Sequence, residues 1–197
     1  MTQKEQDFIT FVKGRCKEHG VKCDLRKSKY VKIDSKTPCS GWFDHEVPEL
    51  VVAMNRPDWI EILAHEYCHL TQWVEQIPLW VETEVSSSLF WGWLDGDECS
   101  DIDHHINVVR DLELDNEKRS VKLINSFELN VDLDNYIRKA NAYVMFYNYI
   151  KQSRRWSKPG KSPYNNDRLR AAMPNKFNMK YSNLPKRIEK IFIEENF

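Results

Sequence analysis

The chain has 197 residues, of which 41% are hydrophobic and 30% charged, and its formal net charge is -1. This composition is typical of a soluble globular protein with room for a real core. No apolar run approaches the ~20 residues that a membrane-spanning helix needs, and residues 1–6 are too polar for a signal peptide, so we expect no membrane partner.

The cysteines are scattered and form no Cys-x-x-Cys pair; they are Cys16, Cys23, Cys39, Cys68 and Cys99. An odd number without such a pair argues against a disulfide framework and against a structural zinc site. We therefore expect free thiols and a cytoplasmic protein, located in the host cell cytoplasm if the protein is viral.

The first predicted element is a helix over residues 3–19, where Phe8, Phe11 and Val12 form an apolar stripe that ends before His19-Gly20. Short segments with strand-like composition follow it, at residues 21–25, 30–33, 41–44 and 50–54. The last two are predicted to form a hairpin, and the polar residues 34–40 are predicted to form a loop.

The next segment carries the motif His-Glu-x-x-His in a predicted helix over residues 57–75, with Pro57 in its first turn. Residues four apart lie on one face of a helix, so His65 and His69 can bind one metal ion. Glu66 lies one position from His65, close enough to reach a water on that ion. The alternative is two ordinary histidines on a helix face.

A longer zinc signature continues this motif with glycine and a third histidine. Gln72 and Glu75 occupy those positions here. Without the glycine the helix has no reason to break, so we expect Glu75 to point away from the metal.

Residues 79–97 are rich in aromatic side chains around three serines. A short helix that forms a lid or wall beside a cleft is one interpretation of this segment. Its aromatic residues either line a pocket or lie in the core, and we favour the core; they are Trp80, Phe90, Trp91 and Trp93.

A helix is predicted over residues 104–126, with Glu113 and Glu117 in the middle of an otherwise apolar stripe. Uncompensated burial of two carboxylates is costly, and buried charges are paired or bind metal. We therefore predict Glu113 as the third metal ligand. Glu117, one turn further on, is predicted to accept the free N–H of a liganding histidine.

Other assignments for this helix stay open. Glu117 and, less favoured, Asp115 are alternative third ligands, and the acids can instead be exposed. His104 and His105 lie about two turns before Glu113, so we do not expect them to be ligands.

The remaining chain is predicted to contain helices over residues 132–152 and 184–194, a loop over 157–166 and one or two turns over 167–172. Residues 151–190 contain twelve Lys or Arg against two acids. This basic region either packs on the acidic middle of the chain or binds nucleic acid or another polyanion.

The motif and the distant acidic pair resemble zincin metallopeptidases of the gluzincin type. Residues 63–73 also resemble small uncharacterised bacteriophage proteins with the same motif and, more distantly, the ImmA/IrrE and SprT-like metallopeptidase domains. The resemblance covers residues 41–125. Gluzincins often carry Asp where Glu117 stands.

The resemblance implies an α+β fold, with an N-terminal helix and a small, mostly antiparallel sheet on the active-site helix and a mainly helical C-terminal half. We expect one domain over residues 1–197. Its expected parts are the helix, sheet and motif helix (1–76), a helical part with the third ligand (77–156) and a basic extension (157–197).

The activity implied is hydrolysis of a peptide or protein by a water on Zn2+, with Glu66 as general base. An edge strand at residues 42–43, or the strand that follows it, would pair with the substrate, unless the aromatic residues 42–43 only cover the core. The oxyanion donor has several candidates: Tyr143, Tyr147, Arg154 and Tyr164. A non-catalytic regulatory or binding module, and a zinc hydrolase for small or nucleotide substrates, are the alternatives.

Overall fold

The computed structural model describes residues 1–33, 37–158 and 160–197, and its fold is α+β, as the sequence predicts. The chain forms two compact units. The first comprises Met1–Gln76 and Arg119–Val131, and the second comprises Ile77–Lys118 and Asp132–Phe197. The division of the sequence into one domain with three parts stays a prediction.

The first unit opens with helix α1 (Gln3–Glu18), which confirms the first predicted helix. A capping box starts it: the Thr2 hydroxyl accepts from the Glu5 N–H, and the Glu5 carboxylate accepts from the Thr2 N–H. The helix buries Phe8 in contact with Phe127, with 5.3 Å between the ring centroids.

Five short strands follow in the same unit: β1 (Lys22–Arg26), β2 (Val31–Lys32), β3 (Pro38–Cys39), β4 (Gly41–Asp44) and β5 (Glu49–Ala53). The predicted hairpin is confirmed, because β4 and β5 are antiparallel with Gly41 opposite Val52. Strand β1 pairs with β5 in parallel, so the sheet order is β1-β5-β4 and β4 lies at an edge.

The loop predicted over residues 34–40 is wrong at residues 38–39. Strand β3 pairs there with β2 in antiparallel fashion, with Val31 opposite Cys39. Proline is tolerated in such a short, two-stranded ribbon because an edge position does not need its missing N–H. Residues 34–36 of the predicted loop lie outside the described residues.

Helix α2 (Trp59–Glu75) carries the His-Glu-x-x-His motif and packs on β4 and β5. It begins two residues later than predicted, because Asp58 is its N-cap and Pro57 precedes the helix. Arg56 holds the Asp58 carboxylate in a two-bond ion pair, at 2.8 and 2.9 Å. The helix ends at Gln76, which has a left-handed backbone conformation.

The second unit is helical. It contains α3 (Pro78–Asp95), most of α4 (Ile102–Ser126), α5 (Leu133–Ser153), α6 (Asp167–Ala172) and α7 (Lys186–Glu194). These bounds confirm the helices predicted over residues 104–126, 132–152 and 184–194. The predicted loop over 157–166 contains a 3₁₀ turn at Pro163–Asn165, and Pro159 lies outside the described residues.

Helix α3 is longer than the short helix and lid that the sequence suggests. It has 18 residues, with Pro78 in its first turn and Gly96 at its C-terminal end, where φ is 121°. Phe90 is fully buried, as the core interpretation predicts, whereas the indole of Trp91 is 46% exposed. The serines do not interrupt the helix, and Ser86 is buried.

Within the parts of the chain that the structure describes, no helix combines the length and apolar character required to cross a bilayer.

Candidate metal centre

The two histidines of the motif face each other on α2. Their Nε2 atoms lie 3.2 Å apart, and their rings meet nearly edge to face, at 85°. Two ligands held at ~2.05 Å on one tetrahedral zinc ion are about 3.3 Å apart. The spacing of His65 and His69 therefore fits a pair of imidazoles on one ion.

The orientation of His69 is fixed by a residue that the sequence analysis did not assign to the site. The side-chain oxygen of Gln72 lies 3.0 Å from Nδ1 of His69. An amide oxygen only accepts hydrogen bonds, so Nδ1 donates and the lone pair of the neutral ring lies on Nε2. The signal in the sequence was the i, i+3 spacing of His69 and Gln72 on one helix.

The protonation of His69 also favours metal binding. Burial and the neighbouring charge of His65 together lower the pKa of His69 to about 3. The imidazole is therefore neutral at physiological pH, which is the form that binds a metal ion.

Glu66 lies on the side of α2 that faces the edge strand. A Cβ added to Gly41 would lie 3.3 Å from Cγ of Glu66 and 2.9 Å from Cγ2 of Ile62. Burial raises the pKa of the Cys39 thiol, and the charge of Glu66 raises it as well. The start of β4 therefore runs directly beside the predicted general base.

The aromatic residues of the edge strand have partners inside the first unit. The ring of Phe43 lies 5.8 Å from that of Trp73 on α2, and the Trp42 indole N–H donates to the Glu49 carboxylate at 3.2 Å. Both side chains are partly exposed. Pairing of this strand with a substrate stays a prediction.

Glu117 on α4 is fully buried among phenols of the second unit. Its Oε2 accepts from the Tyr136 hydroxyl and its Oε1 from the Tyr164 hydroxyl, both at 2.5 Å. Hydrogen bonds to an ionised acceptor are short and strong, and they offset the cost of burying this carboxylate. The predicted bond from Glu117 to a liganding histidine stays a prediction.

A second pair of phenols lies near Glu113. The hydroxyls of Tyr143 and Tyr147 are 3.0 Å apart, and the ring of Tyr143 stacks on that of Tyr164 at 4.5 Å. Burial raises the pKa of all three phenols, and the charge of Glu113 raises it further. These hydroxyls therefore remain protonated donors at neutral pH.

One group of three potential metal ligands occurs in the part of the chain that the structure describes. It consists of His65, His69 and Glu113, whose ligand atoms all lie within 4.8 Å of one another. Asp115 is not a member of the group. These are the three residues that the sequence predicts as ligands, and their binding of a metal ion stays a prediction.

The residues predicted to lie away from the metal have other contacts. Glu75 pairs with Arg119 at 2.7 Å. His104 lies 3.0 Å from the Glu82 carboxylate, and Nδ1 of His105 lies 3.1 Å from the Ser86 hydroxyl.

Arg154, an oxyanion candidate from the sequence, is held at the end of α3. It donates to the backbone oxygens of Trp93 and Asp97, at 2.8 and 2.6 Å, and its guanidinium lies 5.0 Å from the centre of the Trp93 ring. These contacts leave the tyrosines as the better candidates.

Several basic side chains near the C-terminus contact residues of their own unit. Arg168 pairs with Glu194 and Glu195, and Lys161 donates to the Glu195 backbone oxygen at 2.9 Å. Part of the basic charge is thus neutralised locally. A polyanionic partner for this region stays a prediction.

No family model, curated protein or solved structure matches this chain. The resemblance to gluzincins therefore rests on the motif, its spacing and the residues described above.

Proposed function

We propose that this protein is a zinc-dependent metallopeptidase. The observation that carries the proposal is the grouping of His65, His69 and Glu113 within 4.8 Å. Two imidazoles and one carboxylate are a donor set of catalytic zinc, which leaves a fourth position open. A zinc ion held there would act as a Lewis acid that lowers the pKa of a water molecule and polarises a carbonyl group.

The general base in this proposal is Glu66. It follows His65 directly on α2 and is only partly buried, so its carboxylate is accessible to a water near the imidazoles. The carboxylate accepts a proton from the attacking water and later donates it to the leaving amine nitrogen. The general acid and base are thus one residue.

A peptide is the substrate class that the edge strand favours. Strand β4 pairs with β5 on one side only, and its other side is an edge of the sheet. An extended peptide that pairs with this edge would lie along Gly41, beside Glu66. Small or nucleotide substrates would make no use of such an edge.

Tyr143 and Tyr147 are the proposed donors to the oxyanion that forms when water adds to the peptide carbonyl. Their hydroxyls are adjacent, protonated and close enough to Glu113 for its charge to raise their pKa. A preorganised donor of this kind stabilises developing negative charge without reorganisation.

The test compares wild-type protein with Glu66→Gln on a proteome-derived peptide library. We expect cleavage by the zinc-loaded wild type, a loss of roughly 100- to 10,000-fold in the variant and unchanged zinc content. Glu75→Gln is the matched control, because Glu75 lies on the same helix in an exposed ion pair. Full activity of Glu66→Gln would exclude it as the base.

A wild-type protein that holds zinc and cleaves no peptide would contradict the proposal. Binding of nucleic acid or a protein in the same preparation would then favour the non-catalytic alternative.

A further inference from the structure

Two cysteines of the first unit lie side by side, apart from the metal-ligand group. Cys16 is in the last turn of α1, and Cys23 is the second residue of β1. The chain reverses between them at Gly20, where φ is 70°, and the Val21 N–H donates to the Cys16 backbone oxygen at 2.8 Å. This turn places the start of β1 against the last turn of α1, and the two thiols lie close enough for each to shift the pKa of the other.

The two thiols differ in exposure. Cys16 is fully buried on the inner face of α1, whereas Cys23 is partly exposed on its strand. The thiol of Cys16 lowers the pKa of Cys23, and the charge of Lys13 lowers it further. The thiol of Cys23 and burial raise the pKa of Cys16. The accessible thiol is thus the one that ionises more easily.

We propose that Cys16 and Cys23 are a redox-responsive dithiol that closes reversibly to a disulfide. A partly exposed thiol of low pKa beside a second cysteine is the arrangement that responds to oxidants in proteins. Cys23 is the attacking thiol and Cys16 the resolving one. The oxidant is a hydroperoxide, and a low-molecular-weight disulfide can serve in the same way.

The reaction with a hydroperoxide proceeds in two steps. The Cys23 thiolate attacks the peroxide, the O–O bond breaks, and Cys23 becomes a sulfenic acid while the other oxygen leaves as water or an alcohol. The Cys16 sulfur then attacks the Cys23 sulfur, and the hydroxyl leaves as water with the Cys16 proton. Both thiols are oxidised, and the peroxide is reduced by two electrons.

The disulfide would join α1 to the sheet. Strand β1 pairs along its full length with β5, from Lys22 opposite Glu49 to Arg26 opposite Ala53. A covalent link between Cys16 and Cys23 would reduce the conformational freedom of the unfolded chain and raise the melting temperature. This inference does not depend on zinc or on peptidase activity.

The test treats the full-length protein with hydrogen peroxide and counts the thiols that react with an alkylating reagent after denaturation. The reduced chain has five free cysteines. We expect three reactive thiols after oxidation, because two of the five cysteines then form the disulfide. The intact mass should fall by about 2 Da, the mass of two hydrogens, and a dithiol reductant should restore it. The oxidised protein should melt at a higher temperature than the reduced one.

Variants identify the pair. Cys16→Ser should leave Cys23 as a sulfenic acid that a dimedone probe traps, with no loss of 2 Da. Cys23→Ala, at a partly exposed strand position, should retain Cys16 as a thiol and serves if Cys16→Ser does not fold. Cys99→Ser should still form the disulfide. Five reactive thiols in treated wild type, or a disulfide that persists in Cys23→Ala, would overturn the proposal.

Discussion

Gln72 lies one turn after His69 on α2, and its side-chain oxygen is 3.0 Å from Nδ1 of His69. This contact fixes the tautomer of the histidine and directs its Nε2 lone pair towards His65. Gln72 is fully buried, so water cannot replace its amide as the hydrogen-bond acceptor. In the proposed metal site, the contact would give Gln72 a role in metal affinity that a residue on the helix surface would not have.

Replacement of Gln72 should weaken metal binding. Gln72→Leu removes the acceptor for the Nδ1 proton, and loss of such a contact typically costs about 10- to 100-fold in metal affinity. Gln72→Glu keeps an acceptor at the same position and should retain affinity much better. Competition with a chelating dye measures the zinc dissociation constant. Equal affinities for wild type and Gln72→Leu would show that the contact has no part in binding.

Gly41→Ala should disturb the contact between the edge strand and α2. The added Cβ would lie 2.8 Å from the Val51 backbone oxygen and 2.9 Å from Cγ2 of Ile62. Such overpacking typically costs about 1–3 kcal/mol. The free energy of unfolding, from chemical denaturation, is the measurement, and peptide cleavage should fall with it if the position of Glu66 matters.

Gly14→Ala is the matched control for that substitution. Gly14 is inside α1, and a Cβ there would meet nothing within 4 Å. Alanine in a helix interior is favoured over glycine by about 0.5–1 kcal/mol, so this variant should be more stable than wild type. Equal changes in the free energy of unfolding for Gly41→Ala and Gly14→Ala would contradict the close approach of β4 to α2 at Gly41.

Removal of the hydroxyls near Glu113 should slow catalysis without loss of zinc. Loss of one oxyanion donor typically costs about 100- to 1,000-fold in kcat, so we expect that from Tyr143→Phe or Tyr147→Phe. The control is Tyr149→Phe, because Tyr149 stacks its ring on Phe192 and that ring is retained. Wild-type kcat in both test variants would remove the tyrosines from the mechanism.

The stability of the metal-free protein should depend on pH through His69. Its pKa in the folded chain is about 3, below the 6.5 of an unperturbed histidine. Between these two pH values the unfolded chain binds a proton that the folded chain does not. The contribution of His69 to the free energy of unfolding is therefore present above pH 6.5 and is lost as the pH falls. The slope of the free energy of unfolding against pH, from this group alone, approaches ~1.4 kcal/mol per pH unit in the middle of that window. Unfolding of chelator-treated wild type and His69→Gln should therefore diverge below pH 6.5, and parallel curves would contradict the lowered pKa.

The sequence pattern predicts an element when all the residues that signal it lie within one continuous segment. The apolar stripe of α1 and the helical spacing of α2 are readable from neighbouring residues. The parallel pairing of β1 with β5 is not, because its partners, such as Lys22 and Glu49, are far apart in sequence. Strand β3 was missed as well, since two residues carry no periodicity and the strand that they pair with belongs to another segment.

The candidate site shows the same limit. The spacing of His65, Glu66 and His69 is a property of one helix and was readable at once. Glu113 was selected because a carboxylate in an apolar stripe needs a partner. The phenols on Glu117 were not foreseen, because Tyr136 and Tyr164 come from different segments and only tertiary structure brings them to one carboxylate.

The most direct test of the account is the zinc content of purified protein, measured by mass spectrometry of the metal. We expect about one zinc ion per wild-type chain, the number that one catalytic site holds. We expect far less in His65→Ala and Glu113→Ala, and an unchanged content in Glu75→Gln. A wild-type protein without bound metal, or full zinc retention in both ligand variants, would contradict the claim that these residues form a metal site.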